Sequence, residues 1–287
     1  MSAQQPPSTV HWQTVTDRGE AFLAALLERP GQALLAFDFD GTLSPMVADP
    51  EAAVVSDDAR AALLTLSRQV GRVAIITGRP VETVRRLARL DEDDFASLVV
   101  LGQYGVERLD CATGEVRSPE VGEAFREAVR EITALVEQVG ASEFALEGVF
   151  LEDKGRALGV HTRRAADPEG ALERLDAPVR AIAEAHGLQL EPGKLVLEVR
   201  EQATSKAEAL RELVGELTPE LVLMAGDDLG DVPAFEELDR LADEGLVTAA
   251  LVSGSTERPE LAAHADLAAD GVDGVAAFLG WLVHSLS

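Results

Sequence analysis

Cysteine is almost missing from this chain. Cys111 stands alone in 287 residues, so no internal disulfide can form, and a reducing, cytoplasmic setting is the expectation. Long apolar runs are missing too. No stretch approaches the roughly 18–20 uninterrupted apolar residues that a membrane span needs, so no membrane association is expected. Met1 to Val10 has no basic segment followed by an apolar one; it does not read as a secretory signal, and a disordered tail is expected there. Basic residues are scarce: 25 Lys and Arg stand against 51 Asp and Glu, for a formal net charge of -26. That balance argues against non-specific nucleic-acid binding. It also means that any bound anion must be held by local positive charge, a metal or backbone N–H groups. The acidity itself reads mainly as a solubility device.

What remains is ordinary for a globular protein, with 46% hydrophobic and 26% charged residues and enough length for more than one average domain. No repeat at a solenoid period is visible. Thr16 to Glu28 has Phe22, Leu26 and Leu27 at helical spacing, and Pro30-Gly31 closes it. Residues 33–37 form an apolar run of buried-strand length that stops at Asp38. Ser56 opens a helix with the stripe Ala59, Leu63, Leu66 and Val70. Strands are expected at 73–76, ending at Thr77-Gly78-Arg79-Pro80, and at 98–101, ending at Gly102. The same grammar returns at 221–225, before Gly226-Asp227-Asp228, and at 247–252.

This alternation predicts an α/β fold, a doubly wound parallel sheet covered on both faces. The middle of the chain differs. Two long helical patterns, one through Phe125, Val129, Ile132 and Val136 and one through Leu172, Leu175, Val179 and Ile182, lie among alternating strands at 150–152, 157–161, 188–190 and 195–199. Asp153-Lys154-Gly155 and Glu191-Pro192-Gly193-Lys194 read as hairpin turns. The expected organisation is a tail and helix over 1–30, a core over 31–107, an inserted α+β domain over 108–200, and the rest of the core over 201–287.

Chemistry concentrates at the strand ends, where ligands bind in open α/β sheets. Asp38 and Asp40, in Asp38-Phe39-Asp40-Gly41-Thr42, repel each other unless a cation or a shared proton relieves them, and a hard divalent cation is the simplest relief. Gly41 allows a sharp turn. An Asp-rich cap after a strand would look the same. Asp227, Asp228 and Asp231 make a second cluster that is costly without a metal, unless it is a solvated acidic loop. The Thr77 hydroxyl and the N–H groups of Gly78 and Arg79 at a helix start can hold phosphate oxygens or form an ordinary N-cap. Lys206 opens another helical pattern, where a lone lysine is usually a surface charge.

In this order, from about 33 to about 285, the four segments resemble the haloacid dehalogenase superfamily. The resemblance implies that Asp38 attacks phosphorus and forms an aspartyl phosphate. Asp40 protonates the leaving oxygen and then activates water. It further implies Mg²⁺ held by Asp38, the backbone carbonyl of Asp40, and Asp227, with Asp228 and Asp231 completing or orienting the shell. Thr77 and Lys206 would hold the transferring phosphoryl oxygens.

The inserted segment narrows the resemblance. Leu151-Glu152-Asp153-Lys154-Gly155, Gly159-Val160-His161-Thr162-Arg163 and residues 191–200 look like the cap of trehalose-6-phosphate phosphatases, and Gly102 to Glu107 resembles that family's link between core and cap. The family usually carries an aromatic residue where Thr162 stands, Gly at Ala207, Thr at Gly230 and Glu at Val232. The implied activity is hydrolysis of trehalose 6-phosphate to trehalose and inorganic phosphate, the last step of trehalose biosynthesis. Glu152, Lys154, Glu198 and His161 are the implied sugar-reading residues, together with Gly78 and Arg79 beside the phosphoryl group. The partner expected is a small sugar phosphate, with no nucleic acid and no membrane; oligomeric state is left open, a monomer being compatible. Another sugar phosphate, such as sucrose phosphate or a mannosyl phosphate, and a phosphosugar mutase remain compatible with the residues. A non-catalytic sensor is disfavoured by the complete set of matched catalytic positions.

Overall fold

The structure is a computed structural model that describes residues 11–47, 49–140, 146–201, 205–254 and 259–287. The tail expected at 1–10 lies outside the described residues, as does Thr204. The chain divides into two compact units, Met1–Ser118 with Thr204–Ser287, and Pro119–Ala203.

In chain order the first unit begins with β1 (Trp12–Thr14), α1 (Asp17–Glu28), β2 (Ala33–Phe37), α2 (Asp57–Gln69), β3 (Arg72–Ile76), α3 (Val81–Leu87), β4 (Leu98–Gly102), β5 (Glu107–Asp110) and β6 (Glu115–Arg117). The second unit holds α4 (Glu123–Gly140), β7 (Phe150–Asp153), β8 (Ala157–His161), α5 (Pro168–Ala185), β9 (Gln189–Gly193) and β10 (Val196–Arg200). The first unit resumes with α6 (Lys206–Leu217), β11 (Leu221–Gly226), α7 (Val232–Asp243), β12 (Val247–Ser253), α8 (Pro259–Ala262), β13 (Leu267–Ala269) and α9 (Gly271–Ser285).

Among the described residues, the first unit's sheet has the order β1-β13-β12-β11-β2-β3-β4-β5-β6. The strands from β13 to β4 run parallel, and antiparallel strands close both edges. Side chains alternate across the sheet. Leu35, Phe37, Leu223 and Ala225 pack with Phe22 and Leu26 of α1, Leu63 and Leu66 of α2, and Phe278 and Leu282 of α9. Leu34, Ala36, Val222 and Met224 pack on the other side with Leu210 and Leu213 of α6 and Phe235, Leu238 and Leu241 of α7. Burial on both faces is why β2 and β11 read as unbroken hydrophobic runs. Each fully buried leucine here contributes about 1.5–3 kcal/mol of transfer free energy.

Helix starts are set by local hydrogen bonds. The Thr16 and Ser56 side chains accept from Gly19 and Ala59 N–H groups. Ser205 and Glu208 form a reciprocal capping box at the start of α6, which makes Lys206 its first helical residue.

The second unit is an antiparallel sheet, β7-β8-β10-β9, among the described residues. Leu158, Val160, Leu197 and Val199 pack with Phe125 and Ile132 of α4 and Leu175 and Val179 of α5. The opposite strand face carries the register Glu152, Gly159, Glu198, Glu191 across all four strands.

In the middle of the chain, two details differ from the sequence reading. The second unit begins at Pro119, not 108, because β5 and β6 add antiparallel strands to the edge of the core sheet beside β4. Those strands are short, and β6 is wholly exposed, so they carry no buried-strand signature. The second hairpin turns at Lys194-Leu195, with Leu195 at φ 62, while Glu191, Pro192 and Gly193 belong to β9. Pro192 is tolerated because β9 is an edge strand.

Candidate active site

Strand order builds the site. β11, β2 and β3 are neighbours and parallel, so the residues that follow them emerge side by side. Asp38 follows β2, Thr77 follows β3, and Asp227 follows β11. The Asp38 N–H donates to the Ala225 carbonyl at 2.8 Å, and the Thr77 N–H to the Leu101 carbonyl at 3.0 Å, which carries the ladder one residue past each strand.

Asp38 is only 5% exposed and Asp231 fully buried. Lys206, equally buried, reaches Asp38 Oδ1 at 2.7 Å and Asp231 Oδ1 at 2.6 Å. The other oxygen of Asp231 accepts from the N–H groups of Asp227 and Asp228 at 3.0 and 3.1 Å, so this side chain folds its own loop. Carboxylate oxygens of Asp38, Asp227 and Asp231 all lie within 4.8 Å of one another. Burial raises the Asp38 carboxyl well above the usual range, with Lys206 opposing and Asp231 adding to the rise. Asp231 is raised by burial, against the pull of Lys206. Burial would depress Lys206, but Asp38 and Asp231 together hold its ammonium above the ordinary lysine range.

This donor set fits a hard divalent cation. Three carboxylates, two of them buried, bring oxygens within 4.8 Å of one another, a concentration of negative charge that a hard cation relieves. Gly41, at φ +76, makes room for the arrangement, since a Cβ there would fall well inside 3.0 Å of the Asp227 carboxylate. Ser253 Oγ fixes that turn by donating to the Gly41 carbonyl at 2.8 Å. Asp228 is exposed and directs one oxygen to the Gly230 N–H at 2.8 Å, outside the cluster of three.

Asp40 and Arg79 form a two-point ion pair, at 2.6 and 2.7 Å. Thr77 is buried, and its Oγ1 accepts from the Arg79 N–H at 3.1 Å. Gly78 lies so close to the Tyr104 ring that a Cβ would meet the phenol oxygen at 2.7 Å.

In the second unit, four other residues singled out from the sequence share one strand face. Lys154 Nζ sits 2.6 Å from Glu198 and 3.7 Å from Glu152. His161 Nε2 is 2.8 Å from Glu152, and its ring stacks on Phe150 at 4.6 Å. Partial burial would raise Glu198, but Lys154 and Arg200 bring its carboxyl below the ordinary value. Thr162 is buried, and its N–H bonds the Leu195 carbonyl at 3.0 Å at the hairpin turn.

Sequence reasoning missed Arg200, which pairs with both Glu198 and Glu191. Strand alternation carried the signal, since Glu198 and Arg200 are two residues apart on one strand. It also missed the Asp40–Arg79 pair, which joins two strand ends and leaves no mark in local spacing.

Comparison with known proteins agrees with this geometry. The sequence profile of the trehalose-phosphatase family matches residues 36–268. The chain is 34% identical over 218 residues to an uncharacterized glycosyl hydrolase of Mycobacterium tuberculosis, covering 73% of this chain but only 15% of that much longer protein. It is 31% identical over 227 residues to the trehalose-6-phosphate phosphatase of Escherichia coli, covering 77% of this chain and 78% of that one. The solved structure of Aspergillus fumigatus trehalose-6-phosphate phosphatase superposes with a TM-score of 0.70 at 25% identity, over 95% of this chain and 99% of the other. With the family profile spanning both parts of the core and the segment inserted between them, the chain belongs to the trehalose-phosphatase family.

Proposed function

We propose that this protein hydrolyses trehalose 6-phosphate to trehalose and inorganic phosphate, through an aspartyl phosphate on Asp38. The observation that supports it most is the buried Asp38–Lys206–Asp231 arrangement beside Asp227, in a chain of this family. Asp38, Asp227 and Asp231, with the backbone carbonyl of Asp40, would hold Mg²⁺, which supplies positive charge against the phosphoryl oxygens.

The chain's own residues then divide the work. An oxygen of Asp38 attacks phosphorus as the ester P–O bond breaks. Asp40 delivers a proton to the departing sugar oxygen and later takes one from the attacking water. Lys206 and Thr77 hold the phosphoryl oxygens as charge spreads over them. Lys206 also fixes the direction of Asp38. We assign the polar strand face of the second unit, with Glu152, Lys154, His161 and Glu198, to reading sugar hydroxyls.

Phosphate release from a panel of sugar phosphates, in Mg²⁺ and in EDTA, tests the proposal. Trehalose 6-phosphate is expected to exceed glucose 6-phosphate by a ratio on the order of 10⁴, because the smaller sugar leaves hydrogen-bonding groups unpaired. Asp38→Asn is expected to fold and to release no phosphate. Equal rates on the two sugars would remove the substrate assignment, and full turnover by Asp38→Asn would remove the mechanism.

A further inference from the structure

We propose that Arg79 is a positioning residue that aims the Asp40 carboxyl group at the reacting oxygens, and that it does not itself bind substrate. This role rests on the phosphatase reading above.

All three guanidinium nitrogens of Arg79 have protein acceptors. Nε meets Asp40 Oδ2 at 2.6 Å and Nη2 meets Asp40 Oδ1 at 2.7 Å, a fork-to-fork pairing that fixes a carboxylate in direction as well as distance. Nη1 donates to the Pro50 carbonyl at 3.1 Å. The guanidinium also lies over Phe39, its central carbon 5.7 Å from the ring centroid. Both side chains are largely withdrawn from water.

The backbone that carries Arg79 is held as firmly. Its N–H donates to Thr77 Oγ1 at 3.1 Å, and its carbonyl accepts from the Gln103 N–H at 2.9 Å. The Tyr104 N–H donates to the Thr77 carbonyl at 2.9 Å. Gln103 and Tyr104 make these bonds from left-handed backbone, at φ 49 and 58, a region that non-glycine residues hold only where their surroundings impose it. The loop after β3 is thus pinned to the loop after β4. Arg79 carries that fixed frame across to the acid/base residue after β2.

The chemistry gives the clamp a purpose. In the first step an Asp38 oxygen bonds to phosphorus, the ester P–O bond breaks with its electron pair going to the sugar oxygen, and that oxygen takes the Asp40 proton. Asp40 is then a carboxylate, the state a two-point clamp matches. In the second step a water oxygen attacks phosphorus and one water proton passes to Asp40. The Asp38–phosphorus bond breaks, returning Asp38 as carboxylate and Asp40 as acid. While protonated, Asp40 can keep one hydrogen bond from Arg79 through its carbonyl oxygen.

Rapid-quench and steady-state kinetics of wild type, Arg79→Ala and Arg79→Lys, each also made in an Asp40→Ala background, separate the alternatives. The esters are trehalose 6-phosphate and nitrophenyl phosphate; a sugar alkoxide needs a proton to leave, whereas nitrophenolate does not. Arg79→Ala is expected to slow the first step on the sugar ester on the order of 10²-fold, the scale of general acid catalysis. It is expected to leave the nitrophenol burst rate unchanged and to slow steady-state turnover of both esters, because the second step needs the base. Arg79→Lys restores part of the loss, and supplies the comparison should the alanine variant not fold. Without Asp40, removing Arg79 costs nothing further. Equal burst losses on both esters with a raised KM, or a loss that persists without Asp40, would overturn this role and make Arg79 a substrate ligand. Wild type that releases phosphate from neither ester would instead defeat the phosphatase reading itself.

Discussion

Gly41→Ala is the most discriminating small change available in the core. Gly41 sits at φ +76, where an L-residue costs roughly 1–2 kcal/mol. An added methyl would also collide with the Asp227 carboxylate, whose Cγ and both oxygens lie within 3.0 Å of the new Cβ. A carboxylate at the end of a side chain can rotate away, so the overlap need not unfold the protein. Relief comes instead from moving the Asp227 carboxylate, a proposed cation ligand. The fold should therefore lose about 1–3 kcal/mol, a fall of several degrees in Tm at about 2–4 °C per kcal/mol for a chain near this size. Cation affinity should fall much more, about 10–100-fold or beyond, since disturbing even the groups that orient a ligand has that effect. The assay is phosphate release against Mg²⁺ concentration, alongside thermal melting. Gly215→Ala is the control: an added Cβ there meets nothing within 4 Å, and its place inside α6 favours alanine by roughly 0.5–1 kcal/mol. A Gly41→Ala enzyme with wild-type Mg²⁺ dependence would refute the placement of Asp227 in the cation shell.

Ser205→Ala removes the capping box in front of Lys206; a stability loss of about 1 kcal/mol by urea unfolding is expected, with a lower kcat for phosphate release. Lys154→Ala and Glu198→Ala should each lower kcat/KM for trehalose 6-phosphate while sparing nitrophenyl phosphate. Their effects should fall short of additive in the double variant, because the two groups pair at 2.6 Å. Cys111 should resist alkylation in the folded state at pH 9, where the unfolded chain reacts readily, because burial, with Asp110 adding, pushes its thiol up to about 12. A folded pKa raised above the unfolded one gives stability that is complete below the unfolded value and lost as pH rises toward the folded one. Wild type should therefore lose up to about 1.4 kcal/mol per pH unit between pH 9 and 12 relative to Cys111→Ser, measured by urea unfolding.

Legibility followed burial and locality. β2, β3, β4 and β11 declared themselves because strands covered on both faces leave continuous apolar runs. The acidic pairs were visible because each lies within a few residues of a strand end. The antiparallel strands β1, β5 and β6 were not, since short, partly exposed segments carry no such periodicity. The turn after β9 was misplaced because Pro and Gly are turn residues by habit, yet here an edge strand accommodates both and Leu195 takes the left-handed position. Contacts that depend on tertiary neighbours, such as Lys206 between Asp38 and Asp231, were not legible; the resemblance implied only that Lys206 holds phosphoryl oxygens. Nothing in local spacing told a buried lysine from a surface one.

The acidity of the chain bears on how the site can work. With a formal charge of -26, the protein as a whole repels a phosphate monoester. The buried cluster does not reverse this by itself, since Lys206 is already paired with Asp38 and Asp231. Arg79, which follows β3, is paired with Asp40. Neither side chain offers uncompensated positive charge to a phosphoryl group. A divalent cation among Asp38, Asp227 and Asp231 would offset negative charge there, and would free part of the Lys206 ammonium's field for the phosphoryl oxygens. Cation and phosphate then stabilise each other's binding through the same carboxylates, and linkage makes that coupling reciprocal: whatever factor the cation adds to phosphate affinity, phosphate adds to cation affinity. On the proposed function, such a site would tie substrate binding to cation occupancy before any bond is broken.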